Sequence, residues 1–339
     1  MVNDAVLTSY LESVPRLSLG SFPTPLQPMT HLSAALAGPP VYVKRDDLSG
    51  FGGGGNKGRA LEYILPEAIA SGADTLVTAG VVQSNSARQV AAAAARVGMA
   101  CHVLMVTDRV DRTDDDYAET GNVFLGRLFG ASFEPISVRD NREEKLQATA
   151  DRLRLEGRTP YVVPYGCSNQ LGATGYLRAA LEVAHQIEAR GIGLTHLVHA
   201  SGTGGTQAGL VAGFAAMDLD IEVVGIDVDA DPIGVDRRVG ARLTELTKAL
   251  GLPPMLDRIK IDSRYSAGAY GVADDAVVEA IQLGARLEAL LLDPVYSGKG
   301  FAGLVGFIRS GYFSQDAQVL FLHTGGDPAL FAHRSLFTK

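Results

Sequence analysis

The chain has 339 residues, a formal net charge of −8, 46% hydrophobic residues, 39 glycines and no tryptophan. That length and apolar content allow two domains, or one large domain with an inserted lobe. The acidic balance argues against a nucleic-acid partner, since phosphate backbones are held mainly by clustered Lys and Arg, and no basic stripe stands out. The two cysteines, Cys101 and Cys167, are too few for a disulfide framework and fit a reducing compartment. Cys101 lies in an apolar run and reads as core. The first residues show no charged segment followed by an apolar one, and no apolar run approaches the length of a membrane span. A cytoplasmic protein is expected.

In chain order, β-branched runs predict strands at Val41–Lys44, Thr75–Ala79, His102–Thr107, Tyr161–Val163, His196–His199, Glu222–Val228 and Val319–Leu322. Helices are predicted between them at Ser86–Val97, Glu143–Leu155, Gly172–Ala189, Thr206–Ala216, Val235–Leu250 and Asp274–Leu290. Apolar runs without polar alternation are what parallel sheets covered on both faces require. Their alternation with helices predicts βαβ units and an α/β fold. The acidic stretch Asp111–Asp116 reads as a solvated loop, because metal-binding loops space their carboxylates with glycine. His196 and His199 fall on opposite faces of a strand, and the histidines show no zinc-type spacing. No metal is expected.

Five segments carry candidate chemistry. In the first, four glycines, Gly52 to Gly55, precede Asn56-Lys57 and a helical pattern from Arg59 to Leu65. Glycine allows close backbone approach to a ligand. A buried lysine at a helix N-terminus is pushed towards the neutral amine that attacks an aldehyde. An exposed lysine on a flexible glycine loop explains the pattern equally well. A P-loop does not, because Gly-Lys-Ser/Thr is absent. In the second, Ser201-Gly202-Thr203-Gly204-Gly205-Thr206 follows a predicted strand and opens a helix. Such a turn makes a nest of N–H donors for a phosphate, with a plain tight turn as the alternative. In the third, Gln83-Ser84-Asn85-Ser86 opens another helix, where Ser84 or Asn85 serves either as a cap or as a ligand for a substrate carboxylate. The fourth and fifth are Asp293 to Gly300, containing Tyr296, and Leu322 to Gly326. Thr324 there lies at a strand C-terminal end, where open α/β sheets bind ligands. A nucleotide-binding oxidoreductase accounts for the glycine loops but not for Asn56-Lys57 paired with Ser84-Asn85.

Taken together and in this order, the GGNK, QSN, SGTGGTQ, DPVYSGK and HTGG blocks resemble the fold-type II pyridoxal 5′-phosphate (PLP) enzymes. The similar branch is that of ACC deaminase, D-cysteine desulfhydrase and cysteate sulfo-lyase. The resemblance runs from about Leu19 to Gly326. It implies a large domain of residues 1–57 and 175–339, a small α/β domain inserted at 58–174, and a homodimer. It also implies roles for individual residues. Lys57 matches the Schiff-base lysine that shuttles the Cα proton, with Asn56 beside it, and Asn85 matches the residue bonded to the cofactor ring oxygen. Ser84 matches the serine that contacts the substrate carboxylate, and Thr203, Gly204, Gly205 and Thr206 match the phosphate loop. Tyr296 matches a catalytic tyrosine and Tyr270 a second active-site tyrosine.

ACC deaminases carry Glu after the tyrosine and Leu in the last block, where this chain has Ser297 and Thr324. A carboxylate near the pyridine nitrogen strengthens the electron sink, and a hydroxyl weakens it. Serine with threonine is the pattern associated with desulfhydrases and sulfo-lyases. The expected reaction is therefore β-elimination at sulfur, with D-cysteine the leading substrate and L-cysteate the closest rival. ACC deamination and a serine-type dehydratase are weaker alternatives. Ser297 is expected to contact substrate and Thr324 the cofactor. Gly58, Ser86 and the Tyr165-Gly166-Cys167-Ser168-Asn169 segment depart from the commoner pattern near the pocket.

Overall fold

The computed structural model describes residues 4–110 and 114–338. Among them, the strands are β1 (Leu26–Pro28), β2 (Val41–Arg45), β3 (Thr75–Val81), β4 (Ala100–Val106), β5 (Ser132–Ile136), β6 (Pro160–Val162), β7 (His196–Ser201), β8 (Glu222–Asp227), β9 (Lys260–Asp262) and β10 (Val319–His323). They build a six-stranded sheet in the order β1-β2-β10-β7-β8-β9 and a four-stranded sheet in the order β5-β4-β3-β6. Every pairing is parallel except β1 with β2. The α/β class read from the apolar runs is the observed one.

The helices are α1 (Ala5–Ser13), α2 (Thr30–Ala35), α3 (Lys57–Ala70), α4 (Asn85–Val97), α5 (Gly121–Leu128), α6 (Arg142–Leu155), α7 (Gln170–Arg190), α8 (Gly205–Ala216), α9 (Pro232–Leu250), α10 (Asp275–Glu288), α11 (Ser297–Arg309) and α12 (Asp327–Leu330). No helix among the described residues is long and apolar enough to cross a membrane. Sequence periodicity found neither the terminal helix α1 nor α5, nor the short α2 and α12. It also missed α11, whose glycine-rich first turn reads as loop. Tertiary burial makes it a helix, with Phe301, Leu304, Val305 and Phe307 packed against Val224, Ile226 and Phe321 of the central strands.

The strands absent from the sequence reading, β1, β5 and β9, all lie at sheet edges. Edge strands are short and tolerate proline and polar residues, so they lack the apolar signature of a central strand. The acidic stretch is a loop where it is described. Residues 111–113 lie outside the described residues, and Asp116 accepts two hydrogen bonds from Arg334 at 3.0 Å. Cys101 is buried, and burial pushes its thiol up to about 12, in keeping with a core residue.

Helix α3 positions the candidate lysine. It is wedged between two cores: Tyr63 packs with Tyr176 and Leu177 of α7, while Leu61, Ile64 and Leu65 pack with α4 and the four-stranded sheet. Pro66 lies inside the helix and cannot donate to the carbonyl of Glu62. That carbonyl instead accepts from the Leu17 N–H at 2.8 Å, and the Glu62 carboxylate accepts from the Leu19 N–H at 2.8 Å. The broken ladder thus becomes the anchor for the incoming chain.

A buried ionic cluster locks the same helix. Arg59 donates to both oxygens of Asp46 at 2.8 Å and to Glu182 of α7 at 2.9 Å. Lys44 of β2 also reaches Glu182, and the Tyr176 hydroxyl donates to Asp46 at 2.7 Å. Two cations face two carboxylates, so the cluster is neutral. Breaking one buried partner of such a set costs about 3–5 kcal/mol, against roughly 0–1 for a surface pair.

Candidate active site

A cleft opens at the C-terminal ends of β3, β7, β8 and β10, where parallel sheets expose ligand sites. It is lined by Asn56, Lys57, Ser84, Asn85, Thr203, Gly204, Thr206, Tyr270, Tyr296 and Thr324, together with Ser86, Tyr165 and Asp229. Ten of the candidate residues named from the sequence therefore meet in one place. Gly205 stands directly behind them as the first residue of α8.

Lys57 is the first residue of α3 and lines the cleft. Burial lowers its pKa below the ordinary value, with only the nearby Cys167 thiol opposing. The neutral amine is the nucleophilic and basic form. The glycine loop before it is tied to α4 by hydrogen bonds. The carbonyl of Gly54 accepts from Arg88 at 2.9 Å and also from Gln89, and Gly52 accepts from Arg88 as well. Asn56 donates through its backbone to the Thr324 carbonyl at 2.9 Å, and through Nδ2 to the Thr206 hydroxyl at 3.2 Å. Lys57 is thereby fixed against both the β10 end and the β7–α8 turn.

Ser84 fulfils the capping role, accepting from the Ala87 N–H at 3.1 Å. Its own O–H remains to donate into the cleft. Asn85 accepts from Asn122 at 2.9 Å, which aims its amide N–H groups inward. The Tyr270 and Tyr296 hydroxyls touch each other, with ring centroids 5.8 Å apart and an interplanar angle of 75°. Burial raises both phenols well above their ordinary range, so both are protonated donors at neutral pH. Arg109 covers the Tyr270 ring at 4.1 Å and pairs with Asp229 at 3.1 Å.

Ser297 is the exception. Its hydroxyl donates to Asp293 at 2.7 Å and accepts from the Asp293 N–H at 2.8 Å, and the residue is buried outside the cleft lining. The expected substrate contact is corrected: the first turn of α11 wraps on Asp293 and turns this side chain inward. The same carboxylate accepts from the Tyr296 N–H at 2.9 Å, so Asp293 and Ser297 orient the tyrosine. Sequence reasoning also missed Asn122, Arg109, Asp229 and Lys299. Asn122 lies in α5, and its only signal is a lone amide in an apolar helix. Arg109 and Asp229 are single charged residues with no motif spacing, and Lys299 lies within the DPVYSGK block without an assigned role.

Comparison with known proteins gives the family. A family profile described as pyridoxal-phosphate dependent enzyme matches residues 17–325. The chain belongs to that family. Within it, the chain is 42% identical over 324 residues to the D-cysteine desulfhydrases of Salmonella newport and Salmonella heidelberg, covering 96% of this chain and 98% of each relative. The crystal structure of an ACC deaminase homologue superposes with a TM-score of 0.88 at 33% identity, covering 98% of both chains. The threonine deaminase of T.th. shares the fold, with a TM-score of 0.67 at 21% identity over 95% of this chain and 97% of that one.

The cleft of this PLP-dependent family member fits the cofactor. At Gly204, with φ +91°, a Cβ would lie 2.7 Å from the Val239 nitrogen, so only glycine lets the turn close against α9. No side chain caps α8. Its first N–H groups are left for an anion, with the helix dipole and the Thr203 and Thr206 hydroxyls beside them.

Proposed function

We propose that this chain is a D-cysteine desulfhydrase, converting D-cysteine and water to pyruvate, sulfide and ammonia. The observation that carries the reading is the meeting of the low-pKa Lys57 amine with Ser84, Asn85 and the paired Tyr270 and Tyr296 hydroxyls in one cleft. The identity with curated desulfhydrases supports the choice of substrate. Bound PLP supplies the electron sink that acidifies the Cα–H of an amino acid. Lys57 would anchor the cofactor through its aldehyde, Asn85 would hydrogen-bond its ring, and the α8 N-terminus with Thr203 and Thr206 would hold its phosphate. Thr324 brings a hydroxyl rather than a carboxylate to the cleft, which suits the departure of a good leaving group.

The Ser84 O–H orients the substrate carboxylate. The neutral Lys57 Nζ takes the Cα proton. The Tyr296 hydroxyl, bridged to Tyr270, gives a proton to the departing sulfur. Among the described residues lining the cleft the only basic side chain is Lys57, which acts as the neutral amine. Arg109 and Arg238 are both held by Asp229. A sulfonate side chain would therefore lack a partner, which favours D-cysteine over L-cysteate. The reading carries with it a cytoplasmic homodimer.

The test is parallel assay of D-cysteine, L-cysteate, D-serine and ACC, following sulfide and pyruvate or 2-oxobutyrate. D-cysteine should turn over fastest, and Lys57→Ala should abolish both turnover and the visible absorbance of the purified protein. ACC turnover rivalling that of D-cysteine would overturn the assignment.

A further inference from the structure

The motif that supplies Tyr296 also contains Lys299, which the chemistry above does not use. Lys299 lies in the first turn of α11 and is fully buried. Its ammonium donates to three backbone carbonyls: Ser266 at 2.6 Å, Ala269 at 2.7 Å and Val228 at 3.2 Å. An ammonium has three N–H bonds, and here each finds an acceptor. Burial pulls its pKa down to about 8, opposed by Asp229, Asp227, Asp293 and Asp274 around it. Burying such a group is expensive unless it is fully hydrogen-bonded. A shorter apolar residue would fill the space more cheaply if packing were all that mattered.

The three acceptors come from two segments, Ser266 and Ala269 from one and Val228 from the other. Ala269 immediately precedes Tyr270, in a loop between β9 and α10 that has no regular structure of its own. Val228 immediately precedes Asp229, which holds the Arg109 guanidinium over the Tyr270 ring. Lys299 itself follows Tyr296 by one helical turn. One ammonium therefore ties together the three segments that bring the two phenols into contact.

We propose that Lys299 is the positioning residue for the Tyr270–Tyr296 hydroxyl pair. It sets the distance between the two hydroxyls without touching substrate or cofactor. Its effect on turnover rests on the function proposed above; its effect on the tyrosine pair does not.

The test uses the holoenzyme with Lys299→Met, Lys299→Gln, Tyr270→Phe and the Lys299→Met/Tyr270→Phe double variant. Cofactor absorbance and affinity should stay within about twofold of wild type in each, because neither Lys57 nor the α8 turn is altered. With D-cysteine, kcat should fall about tenfold or more in the Lys299 variants and in Tyr270→Phe, with KM changing less. The double variant should fall no more than about threefold below Lys299→Met, since both changes break one unit. D-alanine, which has no leaving group, provides a readout free of turnover. Its effect on the visible cofactor spectrum should weaken equally in Lys299→Met and Tyr270→Phe, because both tyrosines also line the cleft the amino acid enters. Silence of the wild type towards D-cysteine would sink the function but leave the D-alanine arm to decide this proposal. Wild-type kcat in Lys299→Met, full multiplication of the two losses, or loss of cofactor from both Lys299 variants would each overturn it.

Discussion

The amide of Asn122 donates to Asn85 Oδ1 at 2.9 Å, and its own Oδ1 accepts from Arg88 Nε at 2.6 Å. One buried side chain in α5 thus orients both the cleft-lining Asn85 and the arginine that holds the glycine loop. Asn122 is itself fixed through its backbone N–H, which donates to Gln83 at 2.9 Å.

Asn122→Ala should therefore weaken cofactor binding without touching the cofactor. It strands Arg88 Nε and frees Asn85 to rotate, a loss of about 1–3 kcal/mol for buried groups left unpaired. Titration of apoprotein with PLP, followed by absorbance, should show an apparent Kd raised about tenfold or more. An unchanged Kd would refute the role.

Gly54 has φ +78°, and a Cβ placed there would lie 1.8 Å from the Asp47 carbonyl oxygen. No rotamer relieves a clash between Cβ and backbone. Gly54→Ala should cost well over about 1 kcal/mol and displace the loop that delivers Lys57. Thermal melting should show a lowered Tm, and the purified protein should hold less cofactor.

The buried cluster under α3 makes a prediction with a defined pH sign. Burial alone would raise the Asp46 carboxyl, but Arg59, Lys44 and the Tyr176 hydroxyl outweigh it and bring it down to about 2. Its folded pKa lies below its unfolded value of 3.8, so the unfolded state binds more protons between those limits. The stability Asp46 contributes is fully present above about pH 4 and is lost as pH falls through about 2. Asp46→Asn should lower stability at neutral pH by about 3–5 kcal/mol, because Arg59 loses its carboxylate. The variant should also show a shallower decline than wild type between those two pH values. Equal acid-unfolding slopes in the two proteins would contradict the assignment.

Much of the site was legible because its signals are local. A glycine run ending in Asn56-Lys57 and the Gly202–Thr206 turn each announce a close approach through neighbours in the chain. The central strands β3, β7, β8 and β10 were equally plain, since burial on both faces demands unbroken apolar runs. The edge strands β1, β5 and β9 carried no such mark. Ser297 was misread for a related reason. Its residue type is local, but its direction is set by how the first turn of α11 closes on Asp293.

Sequence alone determined the α/β class and singled out the glycine run before Lys57 and the Gly202–Thr206 turn, because each depends on backbone conformations that nearby residues dictate. Tyr270 and Tyr296 entered only through the family resemblance. Only the tertiary structure decided which polar side chains face the cleft and which support it. Asn122 reaches Asn85 from another helix, Asn56 meets Thr206 across 150 residues, and Lys299 gathers carbonyls from two distant segments. Hydrogen-bond partners so far apart in the chain leave no spacing to read, and their geometry exists only once both cores have packed.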